Sequence, residues 1–576
     1  MFALLLVLGV VLASEMAKAA AAFPVQGRRG MVVTSQADAS EAGLAMLRAG
    51  GNAIDAAVAA AFAVGVTQPQ STGLGGGAFI LIRLADGTVA AIDARETAPA
   101  AATRDMYLQD GVPERASLWG PLAVATPGLV AGLVLVLEEH GSLPLGQVMQ
   151  PAIELALQGY EINAYQARLM NGMRERIPGD RFPETMRIQF PPEGVLAEPG
   201  WRLVQKDLGA TLERIARGGT NAFYQGPIAD AIADSQSQLG GLVTREDLAG
   251  YRAVSRQPVS GSYRGIDVFS YPPPSSGGVV LLQILNIVEG FDLAAFGAGS
   301  SASTHLVAEA MKLAFADRAA YLGDPDFVEI PVERLISKKY ADEQRARINP
   351  AWFKRSPLRW FRRESVITVK GPGLPQNDAG TTHLSVTDDF GNAVAITKTI
   401  NTPYGSLITV PGTGIILNNE MDDFAIAPDT PNAYGLIDTT GANAIAPRKR
   451  PLSSMTPTIL VNDGKVFMVT GSPGGPRIIT TTLHTILNVV DFGMTVEGAV
   501  SAPRFHHQWF PDKLFLEPGV PRDVVEALER RGHPVSPSSR PWSAAEAIVI
   551  DPETGWHFGG SDPRRGGRAL GFPSVP

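Results

Sequence analysis

Gly380-Thr381-Thr382-His383-Leu384-Ser385-Val386-Thr387-Asp388-Asp389-Phe390-Gly391-Asn392-Ala393-Val394-Ala395-Ile396-Thr397-Lys398-Thr399-Ile400-Asn401 is the stretch on which the fold turns. Thr, Val, Ile and Leu alternate with polar residues on both sides of Asp389-Phe390-Gly391-Asn392, a turn signal, so the stretch predicts a β-hairpin. Antiparallel arms bring their far ends together, which places Thr397, Thr399 and Asn401 near Thr381 and Thr382. A threonine hydroxyl is a weak nucleophile and needs a base. One solution is a threonine whose own α-amine, freed by chain cleavage, is that base. With an ordinary pKa of about 7.7–8.0, such an amine is partly neutral near pH 7. Cleavage between Gly380 and Thr381 would create one. On the hairpin alone, the plainer reading is that the two threonines begin a strand.

Three further motifs stand after the hairpin: Leu417-Asn418-Asn419-Glu420-Met421-Asp422-Asp423-Phe424, Arg448-Lys449-Arg450-Pro451-Leu452-Ser453-Ser454-Met455 and Gly471-Ser472-Pro473-Gly474-Gly475. With the hairpin, in this order, they resemble the γ-glutamyltransferase (γ-glutamyltranspeptidase) family of N-terminal-nucleophile hydrolases. The resemblance covers nearly all of the chain after residue 25. It implies an α+β fold, a four-layer αββα sandwich in which two sheets are covered by helices. It also implies one intertwined domain made from two self-cleaved parts, a large subunit 23–380 and a small subunit 381–576. Element order alone says only mixed α and β.

The same resemblance assigns the site. Thr381 is the nucleophile, freed by cleavage from Gly380, and Thr399 orients it. The N–H groups of Gly474 and Gly475 form the oxyanion hole, where glycine lets backbone approach closely. Arg95, in Arg95-Glu96-Thr97-Ala98-Pro99, holds the substrate α-carboxylate with Ser453 and Ser454. A guanidinium fork suits a carboxylate, although an arginine after a strand is more often a surface ion pair. Asn401, Glu420 and Asp423 hold the α-ammonium, and Tyr434 lies on a lid. The implied substrates are glutathione and other γ-glutamyl compounds, with water, amino acids or peptides as acceptors. No metal and no organic cofactor is called for, and the stable partner is the other cleavage product.

Two residues depart from the family pattern. Glu420 stands where many bacterial relatives carry glutamine. Lys398 is not expected between Thr397 and Thr399, and strand alternation sends it to the face opposite Thr399.

Composition sets outer limits. A chain of 576 residues can bury a large core, and a net charge of −8 gives no basic field for nucleic acid. The absence of cysteine excludes disulfides and a thiolate nucleophile. Residues 2–13 are an apolar run, too short for the roughly 20 residues a bilayer span takes. Ala-x-Ala sites follow, so residues 1–22 read as a signal peptide and the protein as periplasmic or secreted, with no stable membrane span. The positive charge that ordinarily opens such a signal is missing.

Along the chain, 31–35 reads as a strand and Ser40 as a helix N-cap, with a buried helix over 52–65. Gly73–Gly77 precedes a strand, the wrong order for a dinucleotide loop, and reads as close backbone packing. A strand pair follows at 78–84 and 89–93. Helices are expected over 128–158, 207–217, 227–237, from Val279, and over 303–322. Pro272–Gly278 reads as a helix-start turn rather than a pocket wall. His305 reads as packing or capping. The basic, aromatic stretch 352–380 reads as a solvated linker. His506 and His507 are adjacent on a strand and point apart, which disfavours joint metal ligation.

Other enzyme signatures, G-x-S-x-G, H-E-x-x-H and the P-loop, are missing. One rival is an acylase of the same superfamily acting on glutaryl side chains of cephalosporins. A glutaryl group lacks the ammonium that Glu420 and Asp423 would serve. Another is an unprocessed, exported protein that only binds γ-glutamyl peptides, which the intact Thr381, Thr399 and Gly474-Gly475 disfavour.

Overall fold

The hairpin forms with Thr381 directly opposite Thr399 and Thr387 opposite Ala393. Its strands, Thr381–Asp388 and Ala393–Thr399, are buried along their whole length. β-Branched residues and alanine on both faces suit strands covered from both sides. Asp388 fixes the turn: its Oδ1 accepts from the N–H groups of Phe390 (3.0 Å) and Asn392 (2.9 Å). Its Oδ2 accepts from the N–H of Ala53 at 2.8 Å. A carboxylate thus sits at the N-terminus of the helix Ala53–Thr67, where the helix dipole favours it.

The structure, a computed structural model, describes residues 23–348, 380–427 and 430–572. The signal-peptide reading and nearly all of the 352–380 reading lie outside the described residues.

The hairpin is the centre of a seven-stranded antiparallel sheet. Its order is Arg568–Gly571, Gly30–Thr34, Thr381–Asp388, Ala393–Thr399, Gly77–Arg83, Val89–Ala94 and Val254–Arg256. A second seven-stranded antiparallel sheet runs Val25–Gly27, His557–Ser561, Glu546–Ile550, Lys465–Gly471, Thr458–Asn462, Ile266–Ser270 and Val259–Tyr263. Val33, Phe79, Leu81 and Ala395 of the first sheet meet Ile459, Val469 and Ile548 of the second in a buried apolar layer. Each full-sized aliphatic buried this way is worth about 1.5–3 kcal/mol. Helices including Ala37–Arg48, Ala53–Thr67 and Leu129–His140 cover the outer face of the first sheet. Gly277–Val288, Ser301–Tyr321 and Arg477–Val490 cover that of the second. This is the expected α+β, four-layer αββα sandwich.

Two readings of local structure are corrected. Ser40 is not an N-cap. The helix begins at Ala37 after an extended Gln36, and the Ser40 hydroxyl inside it donates to the Arg568 carbonyl at 2.7 Å. The expected helix over 128–158 is two helices, Leu129–His140 and Leu145–Gln158. Asp55 holds the break between them, accepting from the Ser142 hydroxyl (2.6 Å) and from the N–H groups of Ser142 (2.9 Å) and Leu143 (3.0 Å).

The glycine-rich loop is close packing, as read. A Cβ on Gly75 would stand 2.2 Å from the Ile416 carbonyl oxygen, and one on Gly76 would stand 2.0 Å from that of Thr399.

Lys398 points away from Thr399, as alternation requires, and is fully buried against the helix Ala53–Thr67. Its Nζ donates to the Ala61 carbonyl at 2.5 Å. Burial pushes its pKa down to about 7. Between that value and the ordinary 10.5, the unfolded chain binds the extra proton, so this residue makes stability rise with pH across that window. Lys398→Met should therefore raise the unfolding free energy at pH 7 by on the order of a few kcal/mol, read as a higher denaturation midpoint, and give no gain above pH 10.5. A midpoint difference that does not change between pH 7 and 10.5 would refute the buried-amine account.

Candidate active site

Where the hairpin's open end meets the 417–455 motifs, Arg95, Thr381, Thr399, Asn401, Glu420, Asp423, Tyr434, Ser453, Ser454 and Gly475 line one narrow cleft with a cavity of about 20 Å³. The sequence-expected residues thus converge from segments more than 300 positions apart. Gly474 adjoins this group through Gly475.

At the floor, Thr381 and Thr399 face each other with their hydroxyl oxygens 2.9 Å apart. The Thr399 hydroxyl donates to the Gly380 carbonyl at 2.6 Å and accepts from the Asn401 N–H at 2.8 Å. The Ile400 N–H, at 3.3 Å, is a second donor to that carbonyl. Both donors point at the oxygen that gains charge when a nucleophile attacks the Gly380 carbonyl. Gly380 is sterically required here, because a Cβ would lie 1.8 Å from the Asn401 carbonyl oxygen. Arg565, fully buried, donates to the Thr381 carbonyl at 2.8 Å and holds the strand end in place.

His383 belongs to the support rather than to the chemistry. Its Nδ1 meets Thr397 Oγ1 at 2.8 Å and its Nε2 meets Ser385 Oγ at 3.1 Å. Burial pushes its pKa down to about 3, so it stays neutral at pH 7.

The walls carry charge. Arg95, fully buried, pairs with both Glu420 and Asp423, and its Nη1 lies 3.6 Å from Glu96 Oε2. One cation therefore faces three carboxyl groups. Burial pushes the Glu96 carboxyl up to about 7, with Arg95 opposing. It pushes Glu420 well above the ordinary range, again against Arg95. Glu420 Oε2 is buried and has no hydrogen-bond partner among the described residues. A second buried guanidinium, Arg318, acts on Asp423, and the unused acceptor on Glu420 favours a further cation. Asn401 turns its amide N–H toward the Asn419 carbonyl (2.9 Å).

Ser453 and Ser454 are held from behind. The Ser453 N–H donates to the Pro274 carbonyl (2.9 Å), and Ser276 N–H donates to the Ser453 carbonyl (2.8 Å). The Pro272–Gly278 stretch thus starts the helix Gly277–Val288, as read, and also backs the pocket wall.

Gly474 and Gly475 lead into the helix Arg477–Val490 with φ of 136° and 58°, a region that favours glycine. Neither amide N–H has a hydrogen-bond acceptor among the described residues. Both stand at the positive end of the helix dipole.

Tyr434 closes the top. Its hydroxyl donates to the Asn401 carbonyl at 2.7 Å, and its ring lies where a Cβ of Gly475 would be. Sequence reasoning missed the residue that tethers the segment carrying Tyr434. Asp422 accepts from the Ala433 N–H (2.9 Å) and from the Ser117 hydroxyl (2.8 Å). Burial pushes its pKa up to about 7. The doubled Asp422-Asp423 was the available signal.

Comparison with known proteins points the same way. The family model described as gamma-glutamyltranspeptidase matches residues 39–572. The glutathione hydrolase proenzyme of Escherichia coli is 47% identical, over 94% of this chain and 91% of that protein. The acylase ACY 1 proenzyme of a Pseudomonas species is 41% identical, over 92% and 91%. The crystal structure of cephalosporin acylase from Bacillus halodurans superposes with a TM-score of 0.83 at 30% identity, covering 96% of this chain and 97% of that one. That of Helicobacter pylori gamma-glutamyltranspeptidase gives 0.54 at 44% identity, covering 55% and 91%. On sequence across almost its whole length, and on fold, the chain belongs to the γ-glutamyltranspeptidase family.

Proposed function

We propose that the chain is a self-processing γ-glutamyltransferase that cleaves γ-glutamyl amides such as glutathione. In the precursor, the Thr381 hydroxyl attacks the Gly380 carbonyl and an ester replaces the peptide bond. Water then hydrolyses the ester, leaving a Gly380 carboxylate and a free Thr381 amine, and so dividing the chain into 23–380 and 381–576. In the mature enzyme Thr381 Oγ attacks the γ-glutamyl carbonyl while its own amine takes the hydroxyl proton. That proton passes to the leaving amine, and an acyl-enzyme remains. Water, or the amine of an amino acid or peptide, resolves it. Thr399 orients the nucleophile, and the N–H groups of Gly474 and Gly475 meet the oxyanion. Losing one such donor in other enzymes costs about 2.7–4 kcal/mol. The chain's relatives named as proenzymes support the processing step.

The observation that carries the substrate reading is the charge imbalance around Arg95. A γ-glutamyl head brings an α-ammonium and an α-carboxylate. The ammonium pairs with Glu420, Asp423 and the Asn401 side-chain oxygen. The carboxylate takes over the guanidinium those acids release, with Ser453 and Ser454. Glu420, Asp423 and the incoming carboxylate then each face a cation. The acylase relatives keep a glutaryl-type substrate in view as a second reading, but that substrate leaves the two acids without an ammonium. Export to the periplasm or medium is part of the proposal. Among the described residues no helix is long and apolar enough to cross a membrane.

Asp423→Asn should weaken use of a γ-glutamyl anilide about 30-fold or more in kcat/KM, about 2 kcal/mol, and change a glutaryl anilide little. Equal losses on both, or a wild-type preference for the glutaryl compound, would favour the acylase reading. Thr399→Val, assayed on its cleaved fraction, should lower kcat about 10²-fold with KM nearly unchanged. A change in KM alone would contradict an orienting role.

A further inference from the structure

On the far side of the second sheet, the helix Ser301–Tyr321 carries His305 and Glu309 one turn apart on one face. His533, just beyond the helix Arg522–Arg530, reaches over to them. His305 Nδ1 and His533 Nε2 lie 2.8 Å apart, and His533 Nδ1 lies 3.9 Å from Glu309 Oε1. One ligand atom from each of the three falls within 4.8 Å of the other two, and all three side chains are buried. Lys312 pairs with Glu309 at 2.5 Å. Another buried imidazole of this region, His507, has its Nε2 3.3 Å from Asp512.

We propose that His305, Glu309 and His533 form a Zn²⁺ site that fastens the C-terminal lobe to the helix Ser301–Tyr321. Two imidazoles and a carboxylate are a donor set that zinc accepts, with a fourth position for water. The two facing imidazole nitrogens can share only one proton, and a metal ion replaces it. Zinc–ligand bonds of about 2.1 Å in a tetrahedron set ligand atoms about 3.4 Å apart, so the imidazole pair must open by about 0.6 Å and Glu309 must close in. Lys312 opposes the metal and keeps its affinity in check.

The lobe gives the site a purpose. Its strands Phe505–His506, Leu514–Leu516 and Val535–Pro537 and the helix Arg522–Arg530 share a small buried apolar cluster, Leu514, Leu516 and Leu528, with Ala308 of the long helix. Metal-binding free energy adds directly to folding free energy. If the chain is cut at Gly380, the ion bridges two polypeptides. The site itself does not depend on that reading.

The test titrates the purified full protein, stripped with a chelator, with Co²⁺ as a spectroscopic stand-in and then with Zn²⁺. One equivalent should give the visible absorption of tetrahedral cobalt, and Zn²⁺ should raise the thermal midpoint by several degrees. His533→Gln should abolish both, and Glu309→Gln, the variant to read if the first fails to fold, should weaken binding at least tenfold. Lys312→Met should tighten it. Absence of stoichiometric uptake overturns the proposal, and so does uptake that the histidine and glutamate variants leave unchanged.

Discussion

The structure depends on one cross-strand pair, Thr381 opposite Thr399, held at 2.9 Å between their hydroxyls. Side chains alternate faces along a strand, so a slip of one residue would turn both hydroxyls toward the helices and bring Lys398 into the cleft. Much of the architecture prevents that slip. Both neighbouring strands are paired in register, Gly30–Thr34 on one side and Gly77–Arg83 on the other. Asp388 ties the hairpin's turn to a helix start. Gly76 lets the neighbouring chain lie against the Thr399 carbonyl.

Above that pair the governing constraint is charge. A buried guanidinium facing three carboxyl groups is a poor final state, and Glu420 keeps one oxygen unused. In the proposed γ-glutamyl reading, a bound zwitterion exchanges partners there and adds no net charge to the interior. The site's selectivity then comes from the cost of leaving acids without a cation. The same logic separates a γ-glutamyl from a glutaryl head, which differ only in that ammonium.

Much of this was legible in the sequence, for identifiable reasons. Period-two alternation and the Asp389–Asn392 turn signal fixed the hairpin's arms, and alternation placed Lys398 on the outer face. The glycine-rich 73–77 stretch read correctly as close packing because its order relative to the strand excluded the alternative. Ser40 misled because a serine before small residues looks like a cap, while its real partner, the Arg568 carbonyl, is 528 positions away. The helix break at Gly141–Pro144 is held by Asp55 from another helix. The pairing of Arg95 with Glu420 and Asp423, and the tie from Asp422 to Ser117, are also long-range. Local pattern carries no information on such contacts. His305 read as packing, and only the fold shows which imidazole it meets.

The account's central claim is that Thr381 becomes a chain terminus and acts from there. A denaturing intact-mass spectrum of the purified protein, beside Thr381→Ala, tests it directly. The account predicts two fragments meeting at Gly380 and Thr381 in the wild type and one full-length chain in the variant. A wild-type chain still whole after long incubation would contradict it, because the amine that serves as base would never have been released.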